Sequence, residues 1–456
     1  MGLRKTPAAL VAFGTAAALA IAGCSSSGSS SAGGSTSSSS SSSAPAQLTV
    51  WRMGASVPSE VTWMNGVVAQ FHTDFPAYAK TKVNVVWVPW TSRTTDWNNA
   101  LASGKNAPDI TELGNTDTPT EASLGVLANV SSYVDSWSAK PGIVTGMLAN
   151  DTQNGSVYAV PWFGGVRGVW YRTDQFKAAG ITSPPSSWAE LATDAQKLMA
   201  KFPGTYGIDA ITDDSNAFAS FVWGAGGQIA TQSNGTWTAN LTSPADEAAI
   251  KFYVSLYTKD HLSPSKYVGQ TELGNTGSTS GGANTDFGLG KLDLYIDGPW
   301  ATATMPANST DKANWASFPI PSENGPNAAP VFAGGSDLAI FKTSKNQQAD
   351  WDLISVMDNT ANSTSFANLQ GFFPPYTAEL TGGVYKTQKF MSGFATAAAN
   401  SQVSPLNAKN WPTADTGKYY IIPDMLKALM NGAPFASTVA AANSQLQTVL
   451  NTGTES

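Results

Sequence analysis

The strongest constraint on this sequence is an alternation of strand-like runs with helical segments from Gln47 onward. The run 82–90, "KVNVVWVPW", is rich in β-branched residues and stops at Pro89, which predicts a strand. The run 186–202, "SSWAELATDAQKLMAKF", has amphipathic spacing with Ser186 or Ser187 as its N-cap, which predicts a helix. Because this alternation recurs, it predicts an α/β protein with mainly parallel sheets.

Length and charge narrow the class of protein further. The region 47–456 is about 410 residues long, which predicts two or three domains at roughly 100–200 residues each. The formal net charge of −7 argues against a nucleic-acid partner. The chain has only two histidines, His72 and His261, and shows no metal-ligand cluster at a readable spacing, so the sequence predicts neither a metal nor a cofactor.

The N-terminus predicts export and a lipid anchor. Residues 1–23 combine a short basic region with an apolar run too short to span a bilayer, which is typical of a signal peptide. The segment "IAGC" resembles a bacterial lipobox, with Ile21 at the position where Leu is usual. The resemblance implies that Cys24, the only cysteine, carries lipid such as palmitate and anchors the chain to the extracellular face of the cell membrane. The alternative is an ordinary signal peptide that happens to contain a cysteine.

The segment after Cys24 predicts a flexible tether. Residues 25–43 are only Ser, Gly, Ala and Thr, a composition that cannot bury apolar surface. We therefore assign 24–46 to the lipidated cysteine and a tether that holds the folded body away from the membrane.

Several motifs occur in an order and spacing that resemble one protein family. They are "ASGKNAPDI", "YAVPW" followed by "SSWAEL", "FGLGKLDLYIDGPW" and "GGSDLAIFKTSKN". Together they resemble the family 1 solute-binding lipoproteins of bacterial ABC sugar importers, the maltose-binding-protein-like group. The chain departs from the pattern at Asp293-Leu294, where a small apolar pair is usual.

The resemblance implies a fold and a mode of action. The expected fold is the type II periplasmic-binding-protein fold, in which two α/β lobes enclose a cleft and are joined by hinge crossovers. The first lobe would comprise 47–172 plus 320–370, and the second 173–319 plus 371–456. The resemblance further implies a monomer that closes on its ligand, presents it to the transmembrane subunits of a permease, and is not an enzyme.

Aromatic residues after predicted strands are candidates for sugar binding. Trp300 follows the strand-like "LDLYID" and the break at Gly298-Pro299, where it would be held at the cleft wall. An indole face covers the apolar face of a sugar ring, while polar groups meet its hydroxyls. The alternative for each aromatic candidate is packing in the core. The other aromatic candidates are Trp90, Trp223, Phe373 and Trp411.

The polar candidates cluster after the third predicted strand and near two later breaks. In this fold, cleft residues lie beyond the carboxyl ends of strands, which favours Asn115, Thr116 and Asp117. Asp117 has the alternative role of a helix N-cap. The remaining candidates, each with a structural alternative such as burial or a salt bridge, are Glu112, Arg167, Asp214 and Asn216.

The predicted ligand is a neutral oligosaccharide, with a disaccharide favoured. The segments "WRMGASVPSE" and "VPW" resemble importers of N-acetylglucosamine-type disaccharides, although other oligosaccharide binders carry similar segments. Three alternatives remain: a binder of a non-sugar solute, a secreted glycoside hydrolase with two positioned carboxylates, and a structural or adhesive lipoprotein. The abundance of tryptophan favours the sugar over a non-sugar solute.

Overall fold

The computed structural model describes residues 44–90, 92–103, 107–269, 282–381 and 389–454. The predicted signal peptide, Cys24 and the tether up to residue 43 lie outside these ranges. Residues 44–456 form one compact unit. Within the described ranges, no helix combines the length and apolar character needed to cross a bilayer.

Strands and helices alternate as the sequence predicts. The strands are β1 Gln47–Met53, β2 Lys82–Val88, β3 Ile110–Gly114, β4 Thr152–Gln153, β5 Ser156–Val157, β6 Ala159–Gly165, β7 Gly168–Arg172, β8 Tyr206–Ile208, β9 Ala230–Ser233, β10 Thr236–Ala239, β11 Leu292–Asp297, β12 Trp315–Phe318, β13 Val331–Phe332, β14 Gly334–Ile340 and β15 Ser401–Gln402.

The helices cover both sheets. They are α1 Pro58–Asp74, α2 Arg93–Ser103, α3 Thr118–Ser123, α4 Ser131–Ser136, α5 Thr145–Asn150, α6 Thr173–Ala178, α7 Trp188–Lys201, α8 Ser215–Gly224, α9 Pro244–Thr258, α10 Ala283–Gly288, α11 Ala301–Thr304, α12 Gln347–Met357, α13 Thr360–Gln370, α14 Thr377–Thr381, α15 Ser392–Ala398, α16 Ile421–Met430 and α17 Phe435–Thr452.

The N-terminal end of α7 shows how local sequence sets where a helix begins. Ser187 is extended and its side chain accepts a hydrogen bond from the backbone N–H of Glu190. The Glu190 carboxylate in turn accepts from the backbone N–H of Ser186 at 2.7 Å. This reciprocal capping satisfies backbone donors that the first turn of a helix leaves open, so α7 begins where the sequence predicts.

The first sheet defines what we call the first lobe. Its five strands run in the order β2-β1-β3-β14-β6. β1 pairs in parallel with β2 and β3, whereas β14 is antiparallel to both β3 and β6. An apolar core that includes Phe71, Trp162, Leu353 and Phe366 packs this sheet against α1, α12 and α13.

The second sheet defines the second lobe. Its four strands run in the order β12-β7-β11-β8, with β7 antiparallel to β11 and β12, and β8 parallel to β11. Its core includes Trp170, Phe218, Phe287 and Leu426, from strands and from helices that lie far apart in the sequence. The prediction of mainly parallel sheets is therefore wrong in its pairing: antiparallel pairs equal the parallel ones in the first sheet and outnumber them in the second, because β14 and β7 enter their sheets from the other lobe.

The chain changes sheets at places that differ from the expected lobe borders. β7, Gly168–Arg172, pairs with the second sheet, although the expected first lobe runs to residue 172. Val331 and Phe332 pack in the second core, so the chain rejoins the first sheet at Gly334 rather than near 320. The two strand-like runs that became β6 and β7 look alike in sequence. Only the strands with which they pair show that they belong to different sheets.

Candidate ligand-binding site

A cavity of about 240 Å³ lies where the chain crosses between the sheets. The three crossing segments each contribute to its lining. The residues are Gly165 and Arg167 from the first, Phe332, Gly334, Gly335 and Ser336 from the second, and Phe372 from the third. The first-lobe wall is formed by Arg52, Trp90, Arg93, Glu112, Gly114, Asn115, Thr116, Asp117, Phe163 and Ser336. The second-lobe wall is formed by Arg167, Asn216, Trp300, Phe332, Trp411, Pro412 and Asp415.

The structure brings nine of the twelve predicted site residues to this one cavity. They are Trp90, Glu112, Asn115, Thr116, Asp117, Arg167, Asn216, Trp300 and Trp411. Their roles toward a ligand remain predictions, but their convergence from segments more than 300 residues apart is an observation.

Three predicted residues do not line the cavity. Trp223 is 4% exposed and packs in the second core, because α8 turns its apolar face inward. Asp214 is buried behind the wall, where its carboxylate caps α8 by accepting from the N–H of Ala217 at 2.9 Å. Phe373 is also buried in the second core, and its neighbour Phe372 occupies the wall instead.

Trp300 reaches the cavity because glycines leave room for its ring. A Cβ atom at Gly298 would lie 2.0 Å from Cζ3 of Trp300, and one at Gly165 would lie 2.5 Å from the same atom. Phe372 stacks on the indole with ring centroids 5.7 Å apart. Phe372 also stacks on Phe163 of the first lobe at 4.2 Å. The partly buried Trp300 is therefore one end of an aromatic stack that joins the lobes.

Two further tryptophans line the cavity in different ways. Trp90 is partly buried, and the Arg93 guanidinium lies 5.4 Å from its ring centroid. Trp411 is only 2% exposed and packs largely in the second core. Trp90 thus has ring surface available for a ligand, whereas most of the Trp411 ring contacts protein.

Asp117 forms a two-pronged pair with Arg93 on the first-lobe wall. The Arg93 Nε donates to Oδ2 of Asp117 at 2.8 Å, and Nη2 lies 3.3 Å from Oδ1. The Asp117 side chain makes no capping bond to α3, so the predicted alternative of an N-cap is not what its side chain does. Burial, with the charge of Asp117, raises the pKa of Glu121 to about 7.

Asn115 is fixed by three backbone-directed hydrogen bonds. Its side-chain amide donates to the carbonyl of Ala333 at 2.7 Å, and its backbone N–H donates to the carbonyl of Gly335 at 3.1 Å. Its own carbonyl accepts from Nδ2 of Asn150 at 2.8 Å. The loop that carries Asn115 and Thr116 is therefore positioned by the crossing segment and by α5.

Glu112 lines the cavity and is paired with Arg52. Arg52 donates to both Glu60 and Glu112, and the Glu112 Oε2 also accepts from the N–H of Met53 at 2.8 Å. Complete burial raises the pKa of Glu112, and the Arg52 charge opposes that rise. The arginine stabilises the charge that burial would otherwise disfavour.

The second-lobe wall carries a buried ion pair and a further carboxyl group. Arg167 donates to Asp214 at 3.0 Å, and its guanidinium lies 5.5 Å from the Trp300 ring centroid. Asp415 is 6% exposed and accepts a hydrogen bond from the hydroxyl of Ser215. Burial raises the pKa of Asp415 to about 7, and the nearby charge of Asp214 adds to the rise.

Two hydrogen bonds join the lobes beside Trp411. Nδ2 of Asn407 donates to Oδ1 of Asn150 at 3.3 Å. The hydroxyl of Thr120 donates to the carbonyl of Lys409. Asn150 and Thr120 belong to the first lobe, while Asn407 and Lys409 lie in the segment that carries Trp411.

Sequence reasoning missed several wall residues. Arg52 and Arg93 are positioned by carboxylates 60 and 24 residues away, so no local pattern marks them. Asp415 has a local signal, because it lies four residues after Trp411 in a short helical segment and can share its face. Within the described residues, no group of three or more His, Cys, Asp or Glu residues is arranged to hold a metal ion.

Known proteins share this architecture and about a fifth to a quarter of the aligned residues. The diacetylchitobiose binding protein DasA of Streptomyces coelicolor is 27% identical over 364 residues, which cover 79% of this chain and 80% of DasA. The structure of maltose-bound MalE3 of T. maritima aligns with a TM-score of 0.75 at 21% identity, covering 88% of this chain and 99% of that one.

The GacH receptor of Streptomyces glaucescens, solved unliganded and with acarbose, aligns with a TM-score of 0.74 at 20% identity. This alignment covers 89% of this chain and 98% of GacH. These structural likenesses confirm the expected two-lobe, type II periplasmic-binding-protein fold.

The sequence profile of the family described as bacterial extracellular solute-binding protein matches residues 55–362. That match includes strands of both sheets and the first two of the three crossings between them, with most of the residues that form the cavity. The chain therefore belongs to the family of bacterial extracellular solute-binding proteins.

Proposed function

We propose that this protein is the substrate-binding component of an ABC importer and captures a neutral oligosaccharide, with a disaccharide favoured. The observation that carries the proposal is the cavity itself, which sets the Trp300 ring against a loop of polar residues, 115–117. A ring with one apolar face and a belt of hydroxyls fits such a pairing of aromatic and polar surfaces. The likeness to DasA supports an N-acetylglucosamine-type disaccharide as the first sugar to test.

The size of the cavity supports a short ligand. Its volume of about 240 Å³ lies just below the roughly 300–1,000 Å³ typical of pockets for drug-sized molecules. One or two sugar rings match this space better than a long glycan. A non-sugar solute remains the second candidate.

The carboxylates of the wall support binding rather than hydrolysis. A glycoside hydrolase needs one carboxyl group as acid and a second as nucleophile or base on either side of the scissile bond. Glu112 and Asp117 are each paired with an arginine, and Asp214 lies behind the wall. Asp415 has no such pairing among the described residues, but a single carboxyl group does not supply the two that hydrolysis needs. We therefore propose that the protein releases its sugar unchanged to the permease.

Delivery would depend on closure of the lobes around the sugar. The aromatic stack from Trp300 to Phe163 and the bonds Asn407–Asn150 and Thr120–Lys409 are contacts that a closed form can use. We propose that a monomer closes by hinge motion at the crossings and that the permease recognises the closed form.

The lipid anchor is a separate part of the proposal and has its own test. We propose that Cys24 is acylated after removal of residues 1–23 and that the tether holds the folded body outside the membrane. The full-length chain, expressed in a bacterial host fed an alkyne analogue of palmitate, should carry the label. The Cys24→Ala variant should not, and label retained in that variant would place the lipid elsewhere.

Calorimetric titration tests the sugar-binding function. The chain from residue 44 onward, which forms a compact unit, would be titrated with N,N′-diacetylchitobiose, N-acetylglucosamine, maltose, trehalose, cellobiose and xylobiose. We expect micromolar or tighter binding to one of them, and a loss of about 100-fold or more in Trp300→Ala, since such aromatic anchors contribute several kcal/mol.

A matched control removes a tryptophan outside the cavity. Trp137 is partly buried and packs edge-on against Trp351, with ring centroids 5.6 Å apart. Trp137→Ala should leave the affinity unchanged. Absence of binding across the sugars would contradict the proposed ligand class, and equal affinity of Trp300→Ala and the wild type would remove Trp300 from the site.

A further inference from the structure

Every arginine of the cavity already has a carboxylate partner. Arg52 pairs with Glu60 and Glu112, Arg93 pairs with Asp117, and Arg167 pairs with Asp214. These pairs are buried, with N–O distances of 3.0 Å or less. Among the residues that the structure describes, no lysine lines the cavity. A ligand carboxylate or phosphate would therefore meet arginines whose charge a protein carboxylate already balances.

Asp415 is the exception to this pattern of pairing. It lines the cavity, and its hydrogen-bond partners are the hydroxyl of Ser215 and the side chain of Trp411, both neutral donors. Among the described residues, no Lys, Arg or His lies within ion-pair distance of it. Within the described part of the wall and its direct partners, three arginines face five carboxyl groups, those of Glu60, Glu112, Asp117, Asp214 and Asp415.

We propose that Asp415 determines specificity in this site: it accepts a hydrogen bond from a hydroxyl or amide N–H of the ligand and excludes sugars that carry a negative charge. The inference rests on the proposed sugar-binding function and narrows its ligand class to uncharged or cationic glycans. Aldonic acids, uronates and sugar phosphates would be rejected, because like charges brought together in a desolvated site repel strongly.

A purely structural role for Asp415 makes a different prediction. If Asp415 only positions Ser215 and Trp411, replacing it with Asn would change the affinity for all sugars by the same factor. If it senses ligand charge, the replacement would change the ratio between an anionic sugar and its neutral parent. Asn keeps the size and one oxygen acceptor of Asp, so Asp415→Asn separates the two roles.

The test compares each of two disaccharides with its own acid. N,N′-diacetylchitobiose and maltose would be titrated beside the aldonic acids made by oxidising their reducing ends. The titrations would be run at about pH 8, one unit above the pKa of about 7 to which burial raises Asp415, so that its carboxylate is ionised. Asp213→Asn is the matched control, because Asp213 neighbours Asp415 without lining the cavity.

For whichever disaccharide binds the wild type, we expect its acid to bind at least about 30-fold more weakly, since each tenfold corresponds to about 1.4 kcal/mol. Asp415→Asn should shrink that ratio to less than about fivefold, while Asp213→Asn should leave it unchanged.

Two results would overturn the inference alone: an acid that binds the wild type as tightly as its parent, or a ratio that stays the same in a folded Asp415→Asn protein. If neither neutral disaccharide nor any other sugar of the calorimetric series binds, the proposed function fails, and the inference fails with it.

Discussion

The cavity holds its charged side chains and its main aromatic ring, Trp300, in place in different ways. On the first-lobe wall, charged groups are positioned by partners: Arg93 by Asp117, and Arg52 by Glu60 and Glu112. On the second-lobe wall, Trp300 is positioned by space, because Gly298 and Gly165 leave room for its ring. Polar groups taken out of water need partners, whereas a ring needs a shape into which it fits.

This difference predicts different weaknesses. The position of the Trp300 ring is sensitive to the addition of a single methyl group at a neighbouring glycine, even where no ligand contact is removed. The buried arginine–carboxylate pairs are sensitive to the loss of one charge, because the remaining partner is left buried and unpaired. The following predictions test these two weaknesses in order of expected size.

The largest effect is expected from Gly298→Ala. The new Cβ would lie 2.0 Å from Cζ3 of Trp300, so the indole has to move out of its position. We expect the sugar affinity to fall by about 100-fold, as in Trp300→Ala, with stability lowered by about 1–3 kcal/mol from overpacking. Calorimetry and thermal unfolding measure the two effects.

The control for that change is Gly66→Ala. Gly66 is exposed in α1, and a Cβ there meets no atom within 4 Å. Affinity should not change, and stability should rise by about 0.5–1 kcal/mol because glycine is unfavourable in a helix interior. Full affinity in Gly298→Ala would show that Trp300 does not depend on this close approach.

On the first-lobe wall, Asp117→Asn should have a smaller effect on binding and a clear effect on stability. The change removes the charge that faces Arg93 while keeping one acceptor oxygen. We expect about a tenfold loss of affinity and about 1–3 kcal/mol of lost stability, because Arg93 is left without its buried counter-charge.

Asp135→Asn is the matched control for the buried pair. Asp135 also pairs with a cation, Lys140, but its side chain is 67% exposed. Exposed pairs contribute little, so neither affinity nor stability should change measurably. If Asp117→Asn behaves like this control, the pairing on the first-lobe wall does not position the site.

Asn407→Ala should lower affinity by about fivefold, through faster release of the sugar. The change removes the hydrogen bond to Asn150 that joins the lobes. Asn400→Ala removes a comparable bond, 3.0 Å to the carbonyl of Ala328, that does not cross between the lobes. Stopped-flow dissociation should separate the two variants, and equal release rates would argue against a role for the cross-lobe bond.

The smallest effect expected is a dependence of stability on pH. Burial raises the pKa of Asp293, Asp350 and Asp415 from 3.8 to about 7. Between those values the folded state binds more protons than the unfolded state, so the free energy of unfolding falls as pH rises from about 4 to about 7. The melting temperature should be a few degrees higher near pH 5 than near pH 8.

Asp350→Asn should reduce this pH dependence without affecting sugar binding, because Asp350 lies in α12, away from the cavity. A melting temperature that rises from pH 5 to pH 8 would contradict the assignment of these carboxyl groups as protonated in the folded protein at the lower pH.

The fold and much of the candidate site could be predicted from the sequence because strand ends are marked locally. "KVNVVWVPW" and "LYIDGPW" each end in a proline step followed by tryptophan, and Trp90 and Trp300 both line the cavity. Asn115, Thr116 and Asp117 follow a strand in the same way.

The features that could not be predicted depend on how a helix or strand is rotated about its axis and on partners that are distant in the sequence. Trp223 also precedes a glycine-rich step, but its direction is set by how α8 packs, which no neighbouring residue reveals. A shift of one residue separates Phe372 on the wall from Phe373 in the core. Arg52 and Arg93 gain their roles from carboxylates that only the folded chain brings close.

The most direct test of the central claim is a crystal structure of the protein with the disaccharide that binds most tightly in calorimetry. We expect a sugar ring lying flat on Trp300 at van der Waals distance, with its hydroxyls directed at the loop formed by residues 115–117 and at Asp415. A sugar bound outside this cavity, or inside it without contact to Trp300, would contradict the account.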